Sequence, residues 1–176
     1  MSMELLTMDY WNMFFDNEEE LRRAKIQHLE SIIETLPWVA TIDKFQHWLY
    51  ENPAHSIEER QSMWLQIYEQ FSDSITDWSS FEEFKKYIWQ KQLHIYEVPF
   101  YYIEYGMAQL GAIGVWRNYK QNPQKGLQGY LNALKLGYTA PISAIYAAAN
   151  IPFDFSKEYI TELMNFVREE LEGLKG

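Results

Sequence analysis

Cysteine is absent from the 176 residues, which excludes disulfides, thiol nucleophiles and thiolate metal sites. Basic charge is scarce: 15 Lys and Arg stand against 25 Asp and Glu, for a formal net charge of −10 with no basic run. Nucleic acid and anionic membranes are therefore poor partners on electrostatic grounds. No apolar run approaches the roughly 20 residues that span a bilayer. Met1-Ser-Met-Glu-Leu-Leu lacks the basic opening of a secretory signal and carries an early glutamate, so a cytoplasmic location is expected. Motifs of hydrolytic chemistry are missing too. There is no Gly-x-Ser-x-Gly, no phosphate-cradling glycine loop and no His-Glu-x-x-His. The histidines are His28, His47, His55 and His94, and none forms His-x-x-x-His. His94 and Glu97 are three apart and could share a helix face, but a catalytic zinc takes three protein ligands and a water. No complete metal site is expected, and His28, His47 and His55 read as surface or helix-face residues.

Apolar and aromatic side chains are plentiful, at 47% and 17% of the chain. That argues for a packed core and against disorder. The length suits one domain, expected over 1–176. Helical periodicity dominates and no strand alternation is evident, so an all-α domain of about eight or nine helices is expected. Met3–Phe15 reads as apolar helix from the first residues, which suggests that the chain starts inside an element. Asp16 or Asn17 caps a helix to Leu36; Pro37 interrupts it, and Trp38–Tyr50 resumes. Asn52-Pro53 is a turn. Ser56-Ile-Glu-Glu59 is a capping box for a helix to Phe71, and Ser80-Phe-Glu-Glu83 a second for a helix to Gln90. After a polar loop and a short link comes the central helix, Val98–Gln121. Asn122-Pro123 opens the next, ended by Gly137. Thr139-Ala-Pro141 repeats the device for an alanine-rich helix that Pro152 breaks, and Ser156 caps the last. Glu18-Glu19-Glu20 and Glu82-Glu83 sit in first helical turns, where they complement the helix dipole. The seven tryptophans are spread along the chain and read as core packing. Ala108, Gly111, Ala112 and Val115 form a small-residue stripe that predicts close packing on several sides.

One segment stands apart. His94-Ile-Tyr-Glu-Val-Pro-Phe-Tyr-Tyr-Ile-Glu-Tyr-Gly106 gathers one histidine, four tyrosines and two glutamates at the entry to an apolar helix. Buried hydroxyls and imidazoles need hydrogen bonds or a polar cavity. Tyr101 and Tyr105 are four apart and Tyr102 and Tyr105 three apart, so on a helix either pair can aim hydroxyls at one point. A tyrosine hydroxyl is a good neutral donor to a developing oxyanion. On spacing alone, a functional cluster and a tyrosine-rich core both stay open.

This segment, continued through Met107-Ala-Gln-Leu-Gly111, resembles the C-terminal part of oligoendopeptidase F, one of the thimet-oligopeptidase-like zinc metallopeptidases. The resemblance extends over Val115-Trp-Arg-Asn-Tyr-Lys-Gln-Asn-Pro123, Leu134-Lys-Leu-Gly-Tyr138 and Phe153-Asp-Phe-Ser156. Ser2-Met-Glu-Leu-Leu6 resembles the helix after the family's third zinc ligand, and nearly the whole chain is covered. It implies a mostly helical enzyme that cleaves short peptides in a deep channel. There zinc is held by the two histidines of His-Glu-x-x-His and a later glutamate. It implies substrate and oxyanion contacts at His94 and at a tyrosine, most plausibly Tyr105, with Tyr101 and Tyr102 nearby. Glu4 matches a glutamate just after the third ligand and would support the zinc site from behind it.

The departure is as informative as the match. These residues lack the motif, and by resemblance the third ligand would fall before Met1. The chain is therefore expected to be the C-terminal portion of a zinc peptidase, from a truncated reading frame or a split gene. It would bind no zinc and cleave no peptide alone. The rival expectation is a non-catalytic helical adaptor or regulatory protein derived from such a peptidase. Its apolar face would self-associate or meet a separately encoded zinc-bearing portion.

Overall fold

A computed structural model describes residues 1–175. Among them are nine α-helices and no strand: α1 Ser2–Thr7, α2 Glu18–Glu51, α3 Ile57–Phe71, α4 Glu82–Lys85, α5 His94–Glu97, α6 Ile103–Gln121, α7 Pro123–Leu136, α8 Ile142–Ala148 and α9 Lys157–Lys175. Two short 3-10 turns, Met8–Met13 and Ile88–Lys91, complete the inventory. The all-α expectation holds. No helix among the described residues is long and apolar enough to cross a membrane.

Several expected caps are present. The Asn17 side chain accepts from the amides of Glu19 and Glu20 at 2.8 and 3.4 Å, opening α2. Ser56 and Glu59 form the reciprocal capping box of α3. Asn122 accepts from the Lys125 amide at 3.0 Å, with Pro123 in the first turn of α7. Gly137 ends that helix at φ 51°, a backbone region that disfavours any side chain. Ser156 accepts from the Tyr159 amide at the start of α9.

Other boundaries differ from the sequence reading, each for a physical reason. The first element is not one helix, because the Thr7 hydroxyl donates to the Met3 carbonyl at 2.7 Å and the chain tightens into a 3-10 turn. Pro37 does not interrupt α2. A proline inside a helix costs about 3 kcal/mol, but buried side chains flank it: Leu29 and Ile32 before, Val39, Ile42 and Phe45 after. The second capping box does not form; Phe81 takes the cap position without a side-chain bond, and α4 is a single turn. There the Trp64 indole donates to the Lys85 carbonyl at 2.9 Å, so that carbonyl needs no further helical turn. Thr139 caps nothing, since its hydroxyl turns back to the Leu136 carbonyl at 2.6 Å. The central helix starts at Ile103, not Val98. Pro99 disfavours helical backbone at Val98, and Phe100 takes φ 59°.

The chain divides into two compact units: one takes in Met1–Ile33 and everything from Met107 on, the other is Glu34–Gly106. In the first, Leu6, Val115, Ala133, Ala149 and Ile151 form a core of small and branched side chains. Leu163, Val167 and Leu171, four apart along α9, make its buried stripe. The small-residue stripe works as expected here. A Cβ on Gly111 would lie 2.7 Å from the Tyr146 hydroxyl oxygen. In the second unit the core is aromatic. Phe45 meets Trp64 at 5.1 Å and Trp89 at 5.4 Å between ring centroids, with Ile42, Ile67 and Ile95 around them.

Candidate functional site

The backbone between α5 and α6 is bent by one buried side chain. Gln46 on α2 has no solvent exposure. Its carbonyl oxygen accepts from the Phe100 amide at 3.0 Å, and its amide donates to the Ile95 carbonyl at 3.4 Å. The positive φ of Phe100 is thereby held, a conformation that costs a bulky residue on the order of 1 kcal/mol. The Phe100 ring adds contacts with His47 at 4.8 Å and Tyr50 at 4.9 Å. After this bend α6 begins three residues later.

The bend brings all four candidate side chains of this segment together. The His94 ring lies 6.2 Å from Tyr101 and nearly parallel to it, 5.0 Å from Tyr102 and 5.5 Å from Tyr105. Tyr105 stands edge-on to Tyr101 at 5.6 Å and to Tyr102 at 5.2 Å. The sequence reading paired Tyr101 or Tyr102 with Tyr105 by helical spacing. Only Tyr105 is helical; the other two lie in the approach turn, and the bend supplies the convergence. Tyr101 is 43% exposed, while His94, Tyr102 and Tyr105 are half-buried, so the cluster is packed yet open to solvent.

Polar contacts link the rings. His94 Nε2 lies 3.1 Å from the Tyr105 hydroxyl, and His94 Nδ1 lies 2.7 Å from Gln92 Nε2. The Gln92 amide oxygen in turn accepts from the Trp38 indole at 3.2 Å. Burial raises the Tyr102 pKa, opposed by the nearby Trp38 indole N–H. A neutral donor, a fixed imidazole and flanking ring faces suit a peptide carbonyl that gains negative charge, with apolar side chains beside it. Sequence reasoning missed Gln92, Gln46 and the polar role of Trp38. Glutamine carries no motif, and the Trp38 indole nitrogen is invisible to hydrophobic periodicity.

Glu4 belongs to the first unit. Its carboxylate lies 2.7 Å from the Met1 amino group, and that hydrogen bond, ahead of the charge of His28, lowers its pKa. Zinc does not fit the donors in view. Among the described residues no three His, Asp or Glu stand close enough together to hold a metal ion. His28 packs on Trp11, His47 lies 3.6 Å from Asp43, and His55 bonds the Asn52 carbonyl.

Comparison with known proteins agrees with this fold. The model of peptidase family M3 matches residues 1–165. A solved structure described as an oligoendopeptidase F is 29% identical over 97% of this chain, with a TM-score of 0.86. PZ peptidase A, solved with an inhibitor, is 28% identical over 98%, with a TM-score of 0.87. An oligoendopeptidase F from Bacillus anthracis is 27% identical over 98%, with a TM-score of 0.74. This chain spans 30%, 30% and 27% of those three structures, in that order. No curated protein matches. With all but its last residues under the family model, the chain belongs to peptidase family M3.

Proposed function

We propose that this chain forms the substrate- and oxyanion-contacting part of an oligoendopeptidase F-like zinc peptidase acting on short peptides. One observation carries the reading: His94 Nε2 lies 3.1 Å from the Tyr105 hydroxyl, inside a half-open cluster with Tyr101 and Tyr102. The Tyr105 O–H donates a hydrogen bond to the scissile carbonyl oxygen as negative charge develops there. His94 holds that hydroxyl in place, and Tyr101 and Tyr102 offer ring faces to the peptide. Zinc and its ligands come from sequence outside these residues, so the chain alone hydrolyses no peptide. The likeness to PZ peptidase A and to oligoendopeptidase F supports this reading.

The test uses a quenched fluorescent peptide. The isolated chain should leave it intact with or without zinc. One polypeptide that carries this chain behind a His-Glu-x-x-His segment should cleave it, and a chelator should stop it. Zinc-dependent cleavage by the isolated chain overturns the division of labour; an inert longer polypeptide overturns the peptidase reading.

A second reading, a non-catalytic adaptor that self-associates, is favoured by the outer face of α7. Leu127, Leu131 and Leu134 share that face and are 43%, 41% and 56% exposed, an unusual apolar run for free surface. Light scattering after size exclusion separates the two: a defined dimer supports the adaptor, and a monomer removes it.

A further inference from the structure

We propose that Gln92, oriented by Trp38, is a positioning residue that fixes His94 as the Nε2–H tautomer and leaves the Tyr105 proton free for substrate. Donor and acceptor types force the argument. An indole nitrogen only donates. The group that faces Trp38 Nε1 at 3.2 Å must therefore be the Gln92 oxygen. That leaves the Gln92 amide nitrogen facing His94 Nδ1 at 2.7 Å. An amide N–H only donates, so Nδ1 must present its lone pair. The neutral ring then carries its proton on Nε2.

From Nε2 the proton points at the Tyr105 oxygen, 3.1 Å away. Tyr105 accepts that bond, and its own O–H is left to donate elsewhere. The opposite tautomer would set N–H against N–H at Gln92, leaving a half-buried pair of donors unmatched. It would also draw the Tyr105 proton back to a bare Nε2, where it could not reach a substrate. Trp38 sits edge-on to Trp64 at 6.0 Å, which holds the indole in the orientation the series needs.

The tautomer assignment concerns this chain by itself; its consequence for Tyr105 rests on the peptidase reading above. The first experiment is nitrogen NMR on the whole chain with 15N-labelled histidine. His94 should show a protonated Nε2 and a bare, hydrogen-bonded Nδ1. Gln92→Glu replaces the amide by a carboxylate that accepts from both neighbours, so at alkaline pH the His94 proton should move to Nδ1. Trp38→Phe keeps an aromatic ring and removes the N–H, so the amide is free to turn and both tautomers should appear. It serves as an independent arm if the charged variant fails to fold.

In the longer, zinc-bearing polypeptide, Gln92→Glu should lower kcat about tenfold, short of the ~10²–10³ that follows removal of an oxyanion donor. KM should change little. Wild-type His94 with its proton on Nδ1 overturns the assignment, as does Trp38→Phe with an unchanged spectrum. A tautomer that moves without change in kcat overturns the consequence for Tyr105 and leaves the assignment standing. An inactive wild-type polypeptide instead strikes at the peptidase reading, since the NMR arms do not depend on it.

Discussion

Tyrosine is used in opposite ways in the two units. In the first, the Tyr146 hydroxyl donates to the Met107 carbonyl at 2.9 Å, on the same side that packs against Gly111. Burial, and then the neighbouring Tyr159, raise its pKa. The Tyr159 hydroxyl is buried with no hydrogen-bond partner among the described residues. Both rings are largely buried, and neither hydroxyl meets a titratable side chain through a hydrogen bond among the described residues. In the second unit the Tyr105 hydroxyl meets an imidazole, and its ring neighbours Tyr101 and Tyr102 border solvent. The residue type is the same; the hydroxyl's partner differs, a backbone carbonyl at Tyr146 and an imidazole at Tyr105.

The comparison breaks most visibly at Tyr105. In the longer, zinc-bearing polypeptide, Tyr105→Phe should lower kcat by ~10²–10³ with little change in KM, which corresponds to roughly 3–4 kcal/mol of transition-state stabilisation. Unfolding of the isolated chain should scarcely change, because the ring stays and only a half-exposed hydroxyl is lost. Steady-state kinetics beside a urea titration check both halves. Unchanged kcat would remove Tyr105 from the oxyanion role.

The reverse pattern is expected at Gly111→Val. Its Cβ would stand 2.7 Å from the Tyr146 oxygen, where the rigid ring is tied to Met107 and has little room to retreat. Overpacking of this kind costs about 1–3 kcal/mol. The urea midpoint should fall by that amount, while the His94 and Tyr105 resonances of the folded chain keep their positions. A variant as stable as wild type would mean that the small-residue stripe is not tightly packed.

How much of this was legible in the sequence depends on the kind of signal. Caps that satisfy a local rule, at Ser56, Asn122 and Ser156, appear where the spacing puts them. Pro37 misled because its penalty is local, whereas the burial of Val39 and Phe45 that outweighs it depends on tertiary packing. The capping pattern at Ser80 lost to the Trp64 indole, a partner 21 residues from Lys85. At the site, the four rings that meet, His94, Tyr101, Tyr102 and Tyr105, were all named from sequence, but the reason they meet was not. Helical spacing grouped these tyrosines, but the bend and not a shared helix face brings them together. The bend at Phe100 rests on Gln46, a residue 54 positions away. Nothing in a local pattern marks Gln46 or Gln92, since a buried glutamine is recognisable only by the backbone and ring groups that it satisfies.

The smallest expected effect sharpens the first unit's side of the comparison. His28 packs against Trp11 at 5.3 Å, and its Nε2 is buried without a hydrogen-bond partner among the described residues. Burial lowers its pKa; the Glu4 carboxylate works against that shift and the Met1 amino group slightly for it. The unfolded chain therefore binds a proton at His28 more readily than the folded one. The stability linked to this ring is fully present above the unfolded value of about 6.5. It is lost as pH falls through the lower folded value. Thermal unfolding of wild type and His28→Phe across that range reads the effect as a difference in slope. Wild type should lose stability more steeply on acidification, because phenylalanine has no proton to gain. Parallel slopes would mean that water reaches Nε2 in the folded chain, and that His28, unlike Tyr146, is not held for packing.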